Sequence, residues 1–355
     1  MTAMAATHVQ GDIRKRGPTR PARHTARGGQ PLRIHLINSP DIAPYWIPPD
    51  RLRDRLAAWA RQRRIRVAVT ESRDVDAITP EMREADVLVG FQLPRAHIPE
   101  LPALRWIHVI SAGVDHLLPL DWLPPHVALT TSSGVHAELA GEYAACALLM
   151  LNVGIPRHVT NQRRARWDQV FNTPIVNKTA VIIGVGAIGG SAARHAKRLG
   201  LHVIGVRATG HPHAHVDEMY GPEALHAVLP RADFVVVTAP LTPATRGMIG
   251  GRELALLKPG AGLVNMSRAA LVDYEALAER LGGGALRGAI IDVCDPEPLP
   301  PDAALWRVND LVITPHISSD PPDYAVRTMA VFEQNLRRLV GGRPLRNLVE
   351  PTRGY

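Results

Sequence analysis

Thr179-Ala-Val-Ile-Ile-Gly184-Val-Gly186-Ala-Ile-Gly189-Gly190 is the stretch that decides the fold. An apolar, β-branched run enters a G-x-G-x-x-G, and a helix-forming segment, 191–199, follows at once. Order matters more than the glycines here. A strand pointing at a tight turn lets backbone approach a pyrophosphate, and the helix then offers its N-terminal N–H groups and dipole to the negative charge. The competing reading is a glycine-rich βα turn without a ligand. The strand–turn–helix context favours dinucleotide binding, with Gly184, Gly186, Ala187, Ile188 and Gly189 as the candidate contacts.

Outward from this turn the pattern repeats. Downstream, strands are expected at 181–184, 202–206, 234–238, 262–266, 288–293 and 311–314, enough for a complete dinucleotide-binding domain. Upstream, strands at 32–38, 65–69, 86–90 and 106–110 alternate with a basic amphipathic helix at 51–64. Alternation of that kind implies a second, mostly parallel sheet. A long helix at 137–151 joins the halves. The last helix, 322–340, has no sheet of its own and is expected to return to the first half. The resulting expectation is an α/β chain with two doubly wound parallel-sheet domains. A Rossmann coenzyme domain (133–317) is inserted in a discontinuous, flavodoxin-like substrate domain (32–132 and 318–355).

Composition sets the outer limits. The 355 residues favour two domains, and 46% hydrophobic with 21% charged is ordinary for a globular chain. The longest apolar run, 144–155, is broken by Asn152 and Gly154, so no membrane span is expected. Cys146 and Cys294 sit in apolar segments without metal-ligand spacing, which suggests buried free thiols in a reducing cytoplasm. The net charge of +8 tempts a nucleic-acid reading, but five of those charges lie in residues 1–31. That basic tail has little to bury and is expected to be disordered; a targeting role, a nucleic-acid contact or an upstream start remain open for it. Trp46, Trp106 and Trp167 are expected in packing positions.

Three polar groups sit where strands of the second half end. Arg268 follows Leu263-Val-Asn-Met-Ser267, Glu297 follows Ile291-Asp-Val-Cys-Asp-Pro296, and His316 follows Val312-Ile-Thr-Pro315. Open α/β sheets bind ligands at the carboxyl ends of their strands. An arginine grips a carboxylate through two parallel hydrogen bonds. A histidine moves a proton near neutral pH, and a carboxylate beside it favours its charged form. Read singly, the three are equally a surface charge, a solvated carboxylate and a satisfied histidine. Combined with a dinucleotide fold, they suit reduction of a carbonyl next to a carboxylate.

Across 32–355 the chain resembles the D-isomer-specific 2-hydroxyacid dehydrogenases, including the glyoxylate/hydroxypyruvate reductases. Ser111-Ala-Gly-Val-Asp-His116, Gly184 to Gly189, Pro240-Leu-Thr-Pro-Ala-Thr245 with Met248-Ile249, Asn265-Met-Ser-Arg-Ala-Ala-Leu-Val-Asp273, Asp292-Val-Cys-Asp-Pro-Glu-Pro-Leu-Pro300 and Thr314-Pro-His-Ile317 carry the resemblance. It implies that His316 is the acid/base, that Glu297 holds and charges it, and that Arg268 binds the substrate carboxylate. Backbone N–H groups of Ala112, Gly113 and Val114 would complete that carboxylate site. Asp292 would hydrogen-bond the nicotinamide carboxamide. Ala239, Pro240, Thr245, Met266 and Ser267 would line the cofactor. The resemblance also implies a homodimer built through the 137–151 helix. The alternative readings are a dinucleotide-sensing, corepressor-like binding protein and a 3-phosphoglycerate dehydrogenase. Glu297 argues against the formate-oxidising branch, where an amide stands.

One position departs from an NAD-specific domain, which places Asp or Glu at the end of its second strand. Here that strand ends in Arg207, followed by Thr209, and no carboxylate appears until Asp217. An arginine there welcomes a 2′-phosphate, so NADP is expected over NAD. The alternative is a solvated surface charge and an enzyme indifferent to the phosphate. The overall expectation is an oxidoreductase acting on a small 2-keto or 2-hydroxy acid, with neither metal, membrane nor nucleic acid.

Overall fold

The computed structural model describes residues 30–39, 46–319 and 321–350. The expected disordered tail therefore lies almost wholly outside the described residues. Two parallel sheets organise the rest.

The first sheet has strands β1 (Leu32–Ile37), β2 (Val67–Ser72), β3 (Val87–Gly90), β4 (Trp106–Val109) and β5 (Ala128–Thr131), in the order β2-β1-β3-β4-β5. That is the flavodoxin-like strand order. Helices α1 (Pro49–Arg63) and α2 (Pro80–Arg83) belong to this half. The second sheet holds β6 (Thr179–Ile183), β7 (His202–Val206), β8 (Glu218–Tyr220), β9 (Phe234–Val237), β10 (Ala261–Asn265), β11 (Leu286–Ile291) and β12 (Leu311–Ile313). Its order, β12-β11-β10-β9-β6-β7-β8, is the Rossmann order with one strand added at the far edge. Between and around these strands run α3 (Ala137–Val153), α4 (Ile155–Arg163), α5 (Ala187–Arg198), α6 (Leu225–Val228), α7 (Gly251–Ala255) and α8 (Tyr274–Gly282). A final helix, α9, spans Tyr324–Val340.

Burial on both faces explains the run of β-branched residues in β6, where Ala180 to Ile183 are all buried. Two strands escape the sequence reading. β8 is a three-residue edge strand, Glu-Met-Tyr, too short and too polar to show alternation. β5 follows Pro124-Pro125-His126 and reads as loop, yet Leu129, Thr130 and Thr131 are buried. β2 also sits two residues later than its apolar run suggests, at Val67–Ser72.

Helix α9 packs on the first sheet. Met329, Phe332, Leu336 and Leu339 recur at helical spacing and join the cluster of Leu32, Ile34 and Trp106. The Phe332 ring stacks on Trp106 with centroids 5.0 Å apart, and Trp106 Nε1 donates to Thr130 Oγ1 at 2.8 Å. Helix α3 instead joins the core of the second sheet through Ala140, Ala144, Ala147, Leu148 and Leu151.

Two expectations about side chains fail. Cys146 is exposed and Cys294 is half-buried, not sealed in the core. Trp167 is 96% exposed, not packed. A helix buries one stripe of an apolar sequence, and Cys146 lies outside the stripe that α3 presents to the sheet. Among the described helices none is singly long and apolar enough to cross a membrane; α3 and α4 together pass on length and composition but are bent by 64°.

Candidate active site

The glycine turn fits a dinucleotide for three separate steric reasons. Gly184 lies at φ +97°, and a Cβ there would sit 2.3 Å from the Ala239 backbone nitrogen, so only glycine lets β6 run this close to the end of β9. At Gly189 a Cβ would fall 2.2 Å from the Gly184 carbonyl oxygen, so helix and strand need glycine to pack. At Gly186, the residue before α5, a Cβ would meet nothing within 4 Å. Open space in front of a helix N-terminus is where a pyrophosphate is held. Ala187 and Ile188 form the first turn of that helix.

Arg207 follows β7, and among the described residues its guanidinium makes no ion pair. Asp217 does not serve a ribose. Its carboxylate accepts from Val203 N at 2.8 Å and from Lys197 Nζ at 2.8 and 2.9 Å. Thr209, two residues after Arg207, is exposed. His213 lies over Gly190 in α5, and desolvation, aided by the charges of His215 and Arg207, lowers its pKa.

Of the residues expected to line a cofactor, Ala239 and Met266 are buried, and Ser267 Oγ donates to the Ala239 carbonyl, which ties the ends of β9 and β10. Thr245 is employed within the loop itself. Its hydroxyl donates to Pro240 O at 2.7 Å and accepts from Thr242 N at 2.8 Å, so it shapes the loop.

β10, β11 and β12 are adjacent, so Arg268, Glu297 and His316 emerge from three neighbouring strand ends. Glu297 Oε2 lies 2.8 Å from His316 Nδ1, and Glu297 Oε1 accepts the Cys294 N–H at 2.8 Å. With Nδ1 engaged, Nε2 is left for chemistry. Both side chains are more than a third exposed, within reach of a small molecule. Burial raises the pKa of the Cys294 thiol, helped by the charges of Glu297 and Asp292, and keeps it neutral.

His316 carries a further signature: its φ is +55°. A non-glycine residue pays about 1 kcal/mol or more for that region and needs over-determined surroundings. Asp292 supplies them. Its carbonyl takes the His316 N–H at 2.8 Å, and its buried carboxylate takes the N–H groups of Ile317 (2.9 Å) and Ser318 (2.8 Å) and the Thr314 hydroxyl (2.5 Å). Asp292 thus clamps the backbone on both sides of the histidine, a job beyond the one the resemblance suggested. Tyr143 on α3 braces the clamp through Thr314 Oγ1 at 2.7 Å. Asn265, the last residue of β10, secures the backbone of Arg268. Its Nδ2 donates to Arg268 O at 3.0 Å and to Tyr274 Oη at 2.9 Å.

From the first sheet comes the turn after β4. The N–H groups of Ala112, Gly113 and Val114 have no partner among the described residues, while Ser111 Oγ donates to Gly113 O at 2.6 Å. A Cβ on Gly113 would lie 3.3 Å from Arg268 Nη2, so this turn abuts the guanidinium. Three free N–H groups beside an arginine make an anion site. Asp115, just past it, pairs with Arg268. Burial pushes the Asp115 carboxyl up, but the hydrogen bonds and charge of Arg268 outweigh it and hold the pKa below the usual range. One cavity takes in the Glu297–His316 pair, and a second lies in the first half of the chain. The first, of about 470 Å³, is lined by Trp306, Leu299, Glu297 and His316. The second, of about 840 Å³, is lined by Arg73, Phe91, Arg95 and His116.

Residues 145–318 match the family model of the D-isomer specific 2-hydroxyacid dehydrogenase NAD binding domain. The chain belongs to this family. It is similar to a D-isomer specific 2-hydroxyacid dehydrogenase from Xanthobacter autotrophicus Py2, solved with NADPH and MES (28% identity, TM-score 0.79, covering 92% of this chain and all of that one). It also resembles an NADPH-dependent glyoxylate/hydroxypyruvate reductase from Sinorhizobium meliloti, solved with NADP and sulfate (25% identity, TM-score 0.74, 91% of this chain, all of that one). A glyoxylate reductase of Thermococcus gammatolerans is 29% identical over 283 residues, 76% of this chain and 82% of that protein. As a 2-hydroxyacid dehydrogenase, the protein is an NAD(P)-dependent oxidoreductase acting on small 2-hydroxy or 2-keto acids.

Proposed function

We propose that the protein reduces a short 2-ketoacid, glyoxylate or hydroxypyruvate, with NADPH preferred over NADH. The observations that carry this reading are the 112–114 turn lying against Arg268, the Glu297–His316 pair, and the emergence of Arg268, Glu297 and His316 from three adjacent strand ends. NADP(H), bound on the Gly184–Gly189 turn with Arg207 and Thr209 toward its 2′-phosphate, would supply the hydride. The N–H groups of Ala112, Gly113 and Val114 hold the substrate carboxylate together with Arg268, which also polarises the carbonyl. His316 Nε2 donates a proton to the carbonyl oxygen as negative charge develops there. Glu297, 2.8 Å from Nδ1, fixes the His316 ring with Nε2 free to act. Asp292 retains acceptor capacity beyond its three donors and is the candidate for the carboxamide.

NADPH in the Xanthobacter complex and NADP in the Sinorhizobium complex support the cofactor choice, as does the commitment of Asp217 to Lys197. A homodimer is supported by exposed apolar side chains on and shortly after α3 and α4, Leu149, Val153, Trp167 and Phe171, since exposed apolar surface favours association. We place the boundaries of the inserted domain at 132/133 and 317/318 and the protein in the cytoplasm. Turnover tests the reading against a sensing role and against 3-phosphoglycerate oxidation. Glyoxylate and hydroxypyruvate should each oxidise NADPH faster than NADH; oxidation of 3-phosphoglycerate alone, or no turnover, would refute it.

A further inference from the structure

The carboxylate site contains a carboxylate of its own. Asp115 follows β4 in the first sheet, and Arg268 follows β10 in the second. Asp115 Oδ2 accepts from Arg268 Nε at 3.1 Å and Oδ1 from Nη2 at 3.0 Å, a bidentate pair. Arg268 Nη1 donates to its neighbour Ser267 O at 2.9 Å. Of the five N–H donors of an arginine, one on Nη1 and one on Nη2 then remain. The edge formed by Nε and Nη2 is occupied, and the terminal edge is open. A Cβ on Gly113 would sit 2.8 Å from Asp115 Oδ1 and 3.3 Å from Arg268 Nη2, so the pair lies against the turn whose N–H groups are free.

An ion pair this exposed adds little stability by itself. Its consequence is geometric, because a guanidinium is a planar fork and two bonds to one edge fix the plane. We propose that Asp115 is a positioning residue for 2-ketoacid reduction, one that holds Arg268 across the two domains so that its terminal edge and the 112–114 N–H groups grip the substrate carboxylate together. This rests on the ketoacid reading above. It opposes the alternative in which Asp115 occupies the substrate's place and must be displaced.

The test compares wild type with Asp115→Asn, and with Asp115→Ser should the amide fold poorly. Four quantities are measured: KM and kcat for hydroxypyruvate, the NADPH Kd by fluorescence titration, the melting temperature, and kcat/KM for the ketoacid against its methyl ester. Misplacement of a binding group by an ångström costs up to about 100-fold. The variants should therefore raise KM about 10-fold or more and shrink the acid-over-ester preference by a similar factor. NADPH Kd and melting temperature should hold within error. An unchanged or lower KM overturns the proposal, the lower value favouring displacement. Equal losses for acid and ester, or a weakened NADPH Kd, also overturn it. Wild type that reduces no ketoacid would instead sink the function itself.

Discussion

The two parallel sheets hide their polar groups in opposite places. In the second sheet the strand interiors are largely apolar, and Arg268, Asp292, Glu297 and His316 all lie beyond the C-terminal ends. In the first sheet two histidines sit inside the strands and are fully buried. His35 on β1 bonds Thr70 Oγ1 (2.8 Å) and Ser72 Oγ (3.1 Å); His108 on β4 bonds Thr130 Oγ1 (2.9 Å) and Ser132 Oγ (3.1 Å). Ser132 N in turn donates to Ser111 O at 2.9 Å, at the root of the substrate turn. In the proposed reaction the second sheet is a platform whose edge does the chemistry. The first sheet would supply backbone N–H groups and a carboxylate, and its buried polar network ties to their turn through Ser132 and Ser111.

That contrast breaks most sharply at His316. Replacing it with alanine should lower kcat/KM by roughly 10²- to 10⁴-fold, the range of a general acid, while leaving the NADPH Kd unchanged. A variant with wild-type turnover would remove the chemistry from the second sheet's edge. The cofactor end of the same edge offers a smaller effect. Arg207→Asp should shift the NADPH/NADH ratio of kcat/KM by about 10- to 100-fold towards NADH, the worth of one or two hydrogen bonds to a charged group. A ratio that does not move leaves Arg207 a solvated charge.

The first sheet is probed by acid. Burial, partly offset by Glu81 and Glu71, lowers the His35 pKa to about 4, and burial lowers that of His108 to about 3. The unfolded chain takes up these protons near pH 6.5, and the folded chain does not. Their stabilisation is therefore complete above pH 6.5 and declines as pH falls towards 4 and 3. At pH 5 each histidine should have cost about 2 kcal/mol of unfolding free energy relative to pH 7. Denaturant titrations at the two pH values would read this, and His108→Gln should lose less between them than wild type. Equal losses would mean the buried histidines do not set the acid limit.

Much of the second sheet was legible because each βα unit announces itself locally: a β-branched run, a glycine turn, a helix. Arg268, Glu297 and His316 were legible for the same reason, since each closes a strand. What stayed hidden depends on pairing across distance. β8 exists because it completes an edge, and β5 because Thr130 has Trp106 and His108 to bond. The Asp292 clamp cannot be read without knowing that His316 adopts a positive φ. Asp115 lies 153 residues from Arg268, and nothing in a linear motif joins them. Trp167 misled because tryptophan is usually packed, and the face it sits on has no partner within one chain.

The central claim is that one cleft, with its carboxylate grip shared by both sheets and its proton supplied from the second, directs hydride to C2 of a 2-ketoacid. Incubation with NADPH deuterated at nicotinamide C4 and with hydroxypyruvate tests it directly. The expected product is the D-2-hydroxy acid bearing deuterium at C2, formed by wild type and at least a hundredfold more slowly by His316→Ala. Unlabelled or racemic product, or no consumption of NADPH, would contradict the account.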